Sequence, residues 1–244
     1  MGVIARDADA FGTALRDHHE GRPVQVLMLE SDDGSFRVAD LQAQDFFAPP
    51  DAWPPWERQA VTAAQGSVLD LGAGAGRHSL HLQDLGHAVT VVDASPGAVA
   101  VCSARGIRDT RLADLRELRT DERWDTIVLM GGNLGIGGDW EPSRHLLRRL
   151  ASVTTTGGCL IGDSVDPTSD DPDDLAYEAR NRAAGLHRGH VRLRLRYGDL
   201  VTPWWNQLNV VPEEVERLVD GTGWTLEARS GDDEGFAVVL RRDP

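Results

Sequence analysis

Residues 67–80 read SVLDLGAGAGRHSL: an apolar run that ends on an acid, Asp70, then glycine at three alternate positions, Gly72, Gly74 and Gly76, then a helix-forming stretch. Glycine enters the left-handed region without steric cost and lets a ligand approach bare backbone. A helix that starts directly behind such a turn offers unpaired N–H groups to that ligand. The stretch therefore reads as a strand–turn–helix that receives a nucleoside or dinucleotide. A pyrophosphate-binding turn requires G-x-G-x-x-G/A. Here the Gly72 register reaches Arg77 and the Gly74 register reaches Ser79, so neither completes that pattern.

The surrounding sequence repeats the strand–helix rhythm. Apolar runs SVLDL, AVTVVD, DTIVLM and GGCLIGD alternate with helical stretches near 76–85, 96–105 and 142–151, which predicts a parallel sheet wrapped by helices. Ahead of it, residues 5–20 read as an amphipathic helix. VQVLMLE and SFRVADL flank SDDG as a hairpin, and FFAPPDAWPPWE forms a stiff connector. Residues 1–54 are thus expected to form a cap on a core of residues 55–244. The rhythm breaks after Asp163. A helix capped by Asp171 and Pro172 and stopped at Gly185 is followed by the alternating strand HVRLRLRYG, with PWWNQLNVV returning beside it. Residues 164–210 form an insertion, a helix-and-hairpin lid. PEEVERLVD, GWTLEAR and GFAVVLRR then close the core with a helix and a hairpin.

Composition removes whole classes of chemistry. None of the 25 basic residues is lysine, which excludes pyridoxal-phosphate enzymes, Schiff-base aldolases and the P-loop. A net charge of −14 disfavours nucleic acid as a partner. No apolar run nears the roughly 18 residues of a membrane span, and acids stand where a signal peptide would be apolar, so a cytoplasmic protein without membrane contact is expected. Cys102 and Cys159 lie in apolar contexts and read as buried small hydrophobes. The acids of DSVDPTSDDPDD lack an ordered ligand spacing, so no metal site is expected. Arg192, Arg194 and Arg196 share one face of their strand, expected to be solvated or paired with nearby acids such as Asp170 to Asp174.

The acid-x-Gly-x-Gly-x-Gly of residues 70–76, together with Asp93 at the end of VVDAS and Asp114 in LADL, resembles motif I and its sequels in the class I S-adenosylmethionine-dependent methyltransferases, in particular bacterial small-molecule enzymes. The similarity covers about residues 55–164 and 212–241. It implies a Rossmann-like α/β fold with a seven-stranded, mostly parallel sheet, helices on both faces and the last strand antiparallel. It also implies S-adenosylmethionine as cofactor and S-adenosylhomocysteine as product. Asp70, Gly72, Gly74 and Gly76 would cradle the cofactor, Asp93 with Ala94 would receive the ribose hydroxyls, and Asp114 with Leu115 would face the adenine. Met130 and Gly131 would border the transferred methyl group.

The expected reaction is in-line methyl transfer to oxygen or nitrogen of a small metabolite, of the kind met in specialised metabolism. Such transfer needs orientation, exclusion of water and, where required, removal of a proton. His18, Asn133, Asp163 and Tyr197 are the candidates for direct roles. Trp56, Tyr177, His187, Trp204 and Trp205 are candidates to wall an apolar acceptor pocket. A cyclase or lyase that keeps the cofactor bound without consuming it shares every one of these signals. A nicotinamide oxidoreductase is disfavoured by the incomplete turn. A homodimer is compatible with the sequence.

Overall fold

The computed structural model describes residues 2–34, 37–115, 121–232 and 235–244; Ser35 and Phe36 of the expected hairpin lie outside the described residues. In chain order, α1 (Ala10–His19) is followed by the hairpin strands β1 (Leu27–Ser31) and β2 (Arg37–Leu41), then by α2 (Pro55–Val61). The α/β alternation runs β3 (Ser67–Leu71), α3 (Arg77–Asp84), β4 (Ala88–Asp93), α4 (Pro96–Ala104), β5 (Asp109–Leu112), β6 (Trp124–Leu129), α5 (Trp140–Ser152) and β7 (Thr154–Ser164). The insertion supplies α6 (Pro172–Ala183), β8 (His190–Tyr197), β9 (Leu200–Val201) and β10 (Trp205–Leu208). The chain closes with α7 (Val215–Val219), β11 (Trp224–Gly231) and β12 (Phe236–Arg242).

The main sheet has seven strands in the order β11-β12-β7-β6-β3-β4-β5. β4 pairs with β5 and β6 with β7 in parallel, whereas β12 is antiparallel to both neighbours. This is the Rossmann-like α/β arrangement expected from the sequence, closing hairpin included. No helix among the described residues is long and apolar enough to cross a membrane.

A second, antiparallel sheet has the path β10-β8-β1-β2, with β9 against β8. It joins two pieces that the sequence presents separately: β1 of the cap hairpin pairs along its length with β8 of the insertion, Leu27 opposite Tyr197 and Ser31 opposite Leu193. The chain forms two compact units, one of residues 1–53, 69–118 and 193–205, the other of 54–68, 119–192 and 206–244. Residues 1–53 thus share a unit with the glycine turn.

In the first unit, α1 begins at Asp9, whose carboxylate accepts from the Gly12 amide at 3.0 Å, and ends with Arg16, His18 and His19 against its negative pole. One side of α1 packs through Ala10 and Ala14 onto Leu27 and Tyr197 of the antiparallel sheet. Leu15 joins Ala75, Ala98 and Val101 in a second core, with Phe11, Phe46 and Phe47 around it. α1 and α4 approach so closely that a Cβ on Gly97 would lie 2.5 Å from the Gly12 carbonyl. In the second unit, the indole N–H of Trp224 donates to the Leu147 carbonyl at 2.8 Å, fixing β11 to α5.

The arginine face of β8 finds its partner at long range. Arg194 Nε lies 2.7 Å and Arg196 Nε 3.2 Å from the two carboxylate oxygens of buried Glu30, and the Arg194 guanidinium covers the Trp204 ring at 4.4 Å. The expected pairing of these two residues with the acids at 170–174 is corrected accordingly. Hydrogen bonds from Arg194 foremost hold the Glu30 carboxyl below the usual carboxylate range. A lowered value stabilises the fold above the ordinary glutamate pKa and ceases to as pH falls through the folded value. Glu30→Gln should therefore cost about 2 kcal/mol at neutral pH. The gap in melting temperature to the parent protein should narrow as pH falls below the ordinary glutamate range, which melts across pH 3–8 will check.

Candidate functional site

The alternate glycines of the turn have a direct structural cause. Gly72, Gly74 and Gly76 take φ of 74°, 58° and 75°, so each alternate residue sits in the left-handed region. The turn is held on every side. Gly72 N–H donates to the Val92 carbonyl at 2.9 Å, Cys102 Sγ donates to the Gly74 carbonyl at 3.3 Å, and Arg105 Nη1 donates to the Ala75 carbonyl at 2.5 Å. Burial pushes the Cys102 thiol up, out of the range of a reactive thiolate.

Asp93, the last residue of β4, connects strand and turn. Its Oδ2 accepts from Gly74 N–H at 3.1 Å and its Oδ1 from Ser95 N–H at 2.8 Å. Burial, with the carboxylates of Asp9 and Asp70 adding to it, raises its carboxyl to about 6. Asp70 is buried at the end of β3, accepts from the Ser79 hydroxyl at 2.5 Å, and is likewise raised by burial. The Ala94 carbonyl accepts from Ile4 N–H at 2.8 Å. Asp114 is buried just past β5, and Leu115 follows it. All eight predicted cofactor residues from 70 to 115 thus belong to one unit, at the strand ends and turn where the sequence places them.

Sequence reading misses what secures that loop cluster. Asp9, itself buried, accepts from Ser95 Oγ at 2.7 Å and from Gly97 N–H at 2.7 Å, while Ser95 Oγ caps α4 by accepting from Ala98 N–H at 3.0 Å. Phe11 and Phe46 meet edge to face, ring centroids 5.0 Å apart, over the bare Cα of Gly74. Asp9 carries a readable N-cap signal; nothing local marks its partners. His78 is buried against Trp53, centroids 4.8 Å apart. His18 lies against Phe47 at 4.6 Å, and the Tyr197 hydroxyl donates to Asp17 at 2.7 Å while accepting from Gln25 N–H at 3.1 Å.

In the second unit, the loop after β6 contains buried Met130 and two left-handed glycines, Gly131 and Gly132, with φ of 88° and 78°. Asp163 Oδ1 accepts from Gly132 N–H at 2.9 Å, Gln207 Nε2 donates to the Gly132 carbonyl at 2.5 Å, and Asn133 Nδ2 donates to the Met130 carbonyl at 2.8 Å. Asn133 and Asp163 thus converge on one loop and fix its backbone. Tyr177 accepts Arg192 N–H at 3.0 Å beneath the Arg180 guanidinium. His187 accepts from Gly189 N–H at Nδ1, which leaves its proton on Nε2, 3.1 Å from Glu214, with its ring stacked on Trp140. Trp56 packs on Gly235 at the β11–β12 end and accepts the Ser230 hydroxyl at its carbonyl. Trp205, of the first unit, opens β10 and is half-buried. Among the described residues no group of three or more His, Cys, Asp and Glu is placed to hold a metal ion.

A sheet with an antiparallel last strand, a left-handed glycine turn and a carboxylate closing the second strand of the α/β alternation define a protein of Rossmann-like α/β fold. A methyltransferase domain model matches residues 68–158. Cypemycin N-terminal methyltransferase from a Streptomyces species is 31% identical over 104 residues, a match that takes in 41% of this chain and 42% of that protein. A solved S-adenosylmethionine-dependent methyltransferase from Bacteroides fragilis, in complex with S-adenosylhomocysteine, superposes with a TM-score of 0.84 at 24% identity, covering 99% of this chain and 98% of its own. The sugar N-methyltransferase KedS8 from Streptoalloteichus superposes with a TM-score of 0.57 at 17% identity, covering 83% of this chain and 90% of its own. A methyltransferase domain is thus matched within the chain over residues 68–158, and the fold is that of the solved S-adenosylmethionine-dependent methyltransferases.

Proposed function

We propose that this protein transfers a methyl group from S-adenosylmethionine to a nitrogen or oxygen of a small molecule. The acceptor atom gains the methyl and loses its proton, and S-adenosylhomocysteine is released. The observation that carries the reading is the buried Asp93 carboxylate, bound to Gly74 N–H and Ser95 N–H at the end of β4, beside three alternate left-handed glycines. These residues fit the cofactor: the turn leaves its backbone bare, and a carboxylate accepts from two hydroxyls at once. Asp93 and Ala94 would hold the ribose, Asp114 and Leu115 the adenine, and Asp70 with the glycines the amino-acid tail. When bound, S-adenosylmethionine supplies an electrophilic methyl on a sulfonium.

The chain's own part is positioning. Asp9 and Ser95 lock the 93–97 loop, and Asp163, Asn133 and Gln207 lock the 130–133 loop, so both loops are set before ligand arrives. The direct roles of His18, Asn133, Asp163 and Tyr197, and the pocket roles of Trp56, Tyr177, His187, Trp204 and Trp205, remain part of this proposal. The named activities of the N-terminal and sugar N-methyltransferase relatives favour an amine over a hydroxyl acceptor.

Calorimetric titration with S-adenosylmethionine, S-adenosylhomocysteine and NAD⁺ tests the reading. Binding of both adenosyl ligands at micromolar or tighter, with none of NAD⁺, is expected. Amine and hydroxyl acceptors should then be offered and S-adenosylhomocysteine release followed. Saturable NAD⁺ binding with neither adenosyl ligand bound would sink the proposal; turnover without S-adenosylhomocysteine would move it to a lyase-type reaction.

A further inference from the structure

The antiparallel sheet of the first unit has two unlike faces. Leu27 of β1 and Tyr197 and Leu195 of β8 pack with Ala10 and Ala14 of α1. Side chains alternate along a strand, so Glu30 of β1 and Arg194 and Arg196 of β8 stand on the other face. Glu30 is directly opposite Arg194 in the register, and Met28 is opposite Arg196.

Each arginine gives Glu30 one hydrogen bond, from Nε, at 2.7 Å for Arg194 and 3.2 Å for Arg196, one to each carboxylate oxygen. A guanidinium carries five N–H donors, and an arginine that grips a carboxylate as a fork uses two of its nitrogens. Here one carboxylate takes the Nε of two arginines. The Nη groups of both residues meet no hydrogen-bond acceptor among the described residues. Their side chains are 30% and 34% exposed, while Glu30 itself is buried. The Arg194 guanidinium is fixed further by the Trp204 ring, 4.4 Å away.

The charge on this face is unbalanced in the same direction. The charged groups that act on the Glu30 carboxyl are these two guanidiniums. Two positive charges are thus held against one negative, in a chain whose net charge is −14. Residues two apart on a strand lie about 7 Å apart, close enough for one oxyanion to accept from both guanidiniums.

We propose that Arg194 and Arg196 form an oxyanion-binding site on this face of the sheet, which takes the carboxylate or phosphate group of a small-molecule ligand, with Glu30 and Trp204 holding the two guanidiniums in place. An anion there offsets the surplus positive charge. It meets donors whose side chains are already ordered by Glu30, so binding costs little further conformational freedom. The site stands on its own geometry and does not depend on methyl transfer.

The test follows the arginine Nε–H resonances of the full chain by NMR, with inorganic phosphate and succinate as separate probes and ionic strength held constant with sodium chloride. Arg194→Lys and Arg196→Lys, which keep a positive charge on Glu30, assign the two resonances by their loss. In the parent protein both resonances should move along one saturable curve, half-complete at about 1 mM of the better anion. Arg194→Gln and Arg196→Gln should each weaken that binding about tenfold or more. The lysine variants should weaken it about threefold, because an ammonium retains the charge without the planar fork. Whichever probe binds more tightly assigns the ligand group as phosphate or carboxylate. Thermal melts establish that each variant is folded, and the titration of the parent protein decides even where a glutamine variant is not. Shifts that stay linear in anion concentration and are reproduced by chloride, or parent-like affinity in a folded glutamine variant, overturn the inference. Either result leaves the methyltransferase reading untouched, since Asp93 and the glycine turn carry it.

Discussion

Asp93→Ala is expected to bind S-adenosylmethionine at least about a hundredfold more weakly than the parent protein while remaining folded. Two hydroxyl-to-carboxylate hydrogen bonds, at about 1.5 kcal/mol each, account for a loss of that size. The effect on stability runs in two directions. Alanine leaves the buried Gly74 and Ser95 amides without their acceptor, at about 1–3 kcal/mol each. Against this, the parent protein buries a carboxyl that titrates at about 6 instead of 3.8, so its ionised form costs roughly 3 kcal/mol at pH 7. A raised carboxyl stabilises the fold fully below its unfolded value and loses that contribution as pH rises through about 6. The variant should therefore melt near the parent at pH 7 and fall progressively behind it as pH drops towards 4. Calorimetry at pH 7.5 and melts from pH 4 to 8 separate the two effects. Parent-like affinity in a folded variant would remove Asp93 from the site.

Gly97→Ala should produce the larger structural loss. The added Cβ would stand 2.5 Å from the carbonyl carbon and oxygen of Gly12 and 2.6 Å from its Cα, and backbone cannot rotate away as a side chain can. Helix α1 has to lift, which takes Asp9 from Gly97 N–H and Ser95 Oγ and displaces Phe11 from the glycine turn. Overpacking of this kind costs about 3 kcal/mol or more, which for a chain of this size lowers Tm by roughly 10 °C. Cofactor binding should weaken with it, although residue 97 lies outside the predicted cofactor set. A melting temperature within about 2 °C of the parent would mean that α1 and α4 are not in contact in solution.

The parts of this molecule legible in its sequence are those whose causes are local. Alternate glycines are needed because alternate residues take positive φ, and that requirement is written at Gly72, Gly74 and Gly76 themselves. The strand–helix rhythm and the closing hairpin follow from hydrophobic period and turn residues, so a parallel sheet wrapped by helices was legible too, while its seven strands were expected from the family resemblance alone. Partners far along the chain were not. Alternation in HVRLRLRYG tells which side chains share a face, yet nothing in it points to Glu30, 164 residues from Arg194. Asp9 lies within the stretch 5–20 read as one helix, and its bonds to Ser95 and Gly97 depend on how two helices cross. Phe11 and Phe46 are indistinguishable in sequence from ordinary core residues. For Tyr197 the residue type invited a chemical role, while the hydroxyl is engaged by Asp17 and Gln25.

The pairing of β1 with β8 has a consequence for how the protein is made. During synthesis, Leu27–Ser31 leaves the ribosome well before its neighbour Leu193–Tyr197 exists. At cellular elongation rates the interval is roughly 8–30 s. Throughout it the nascent cap presents an unpaired strand edge, with Leu27 lacking the Tyr197 ring that later buries it. The cap, synthesised ahead of the insertion, is thus completed only after it. Translation speed and chaperone access over that window should govern yield in a heterologous host more than the stability of the finished fold.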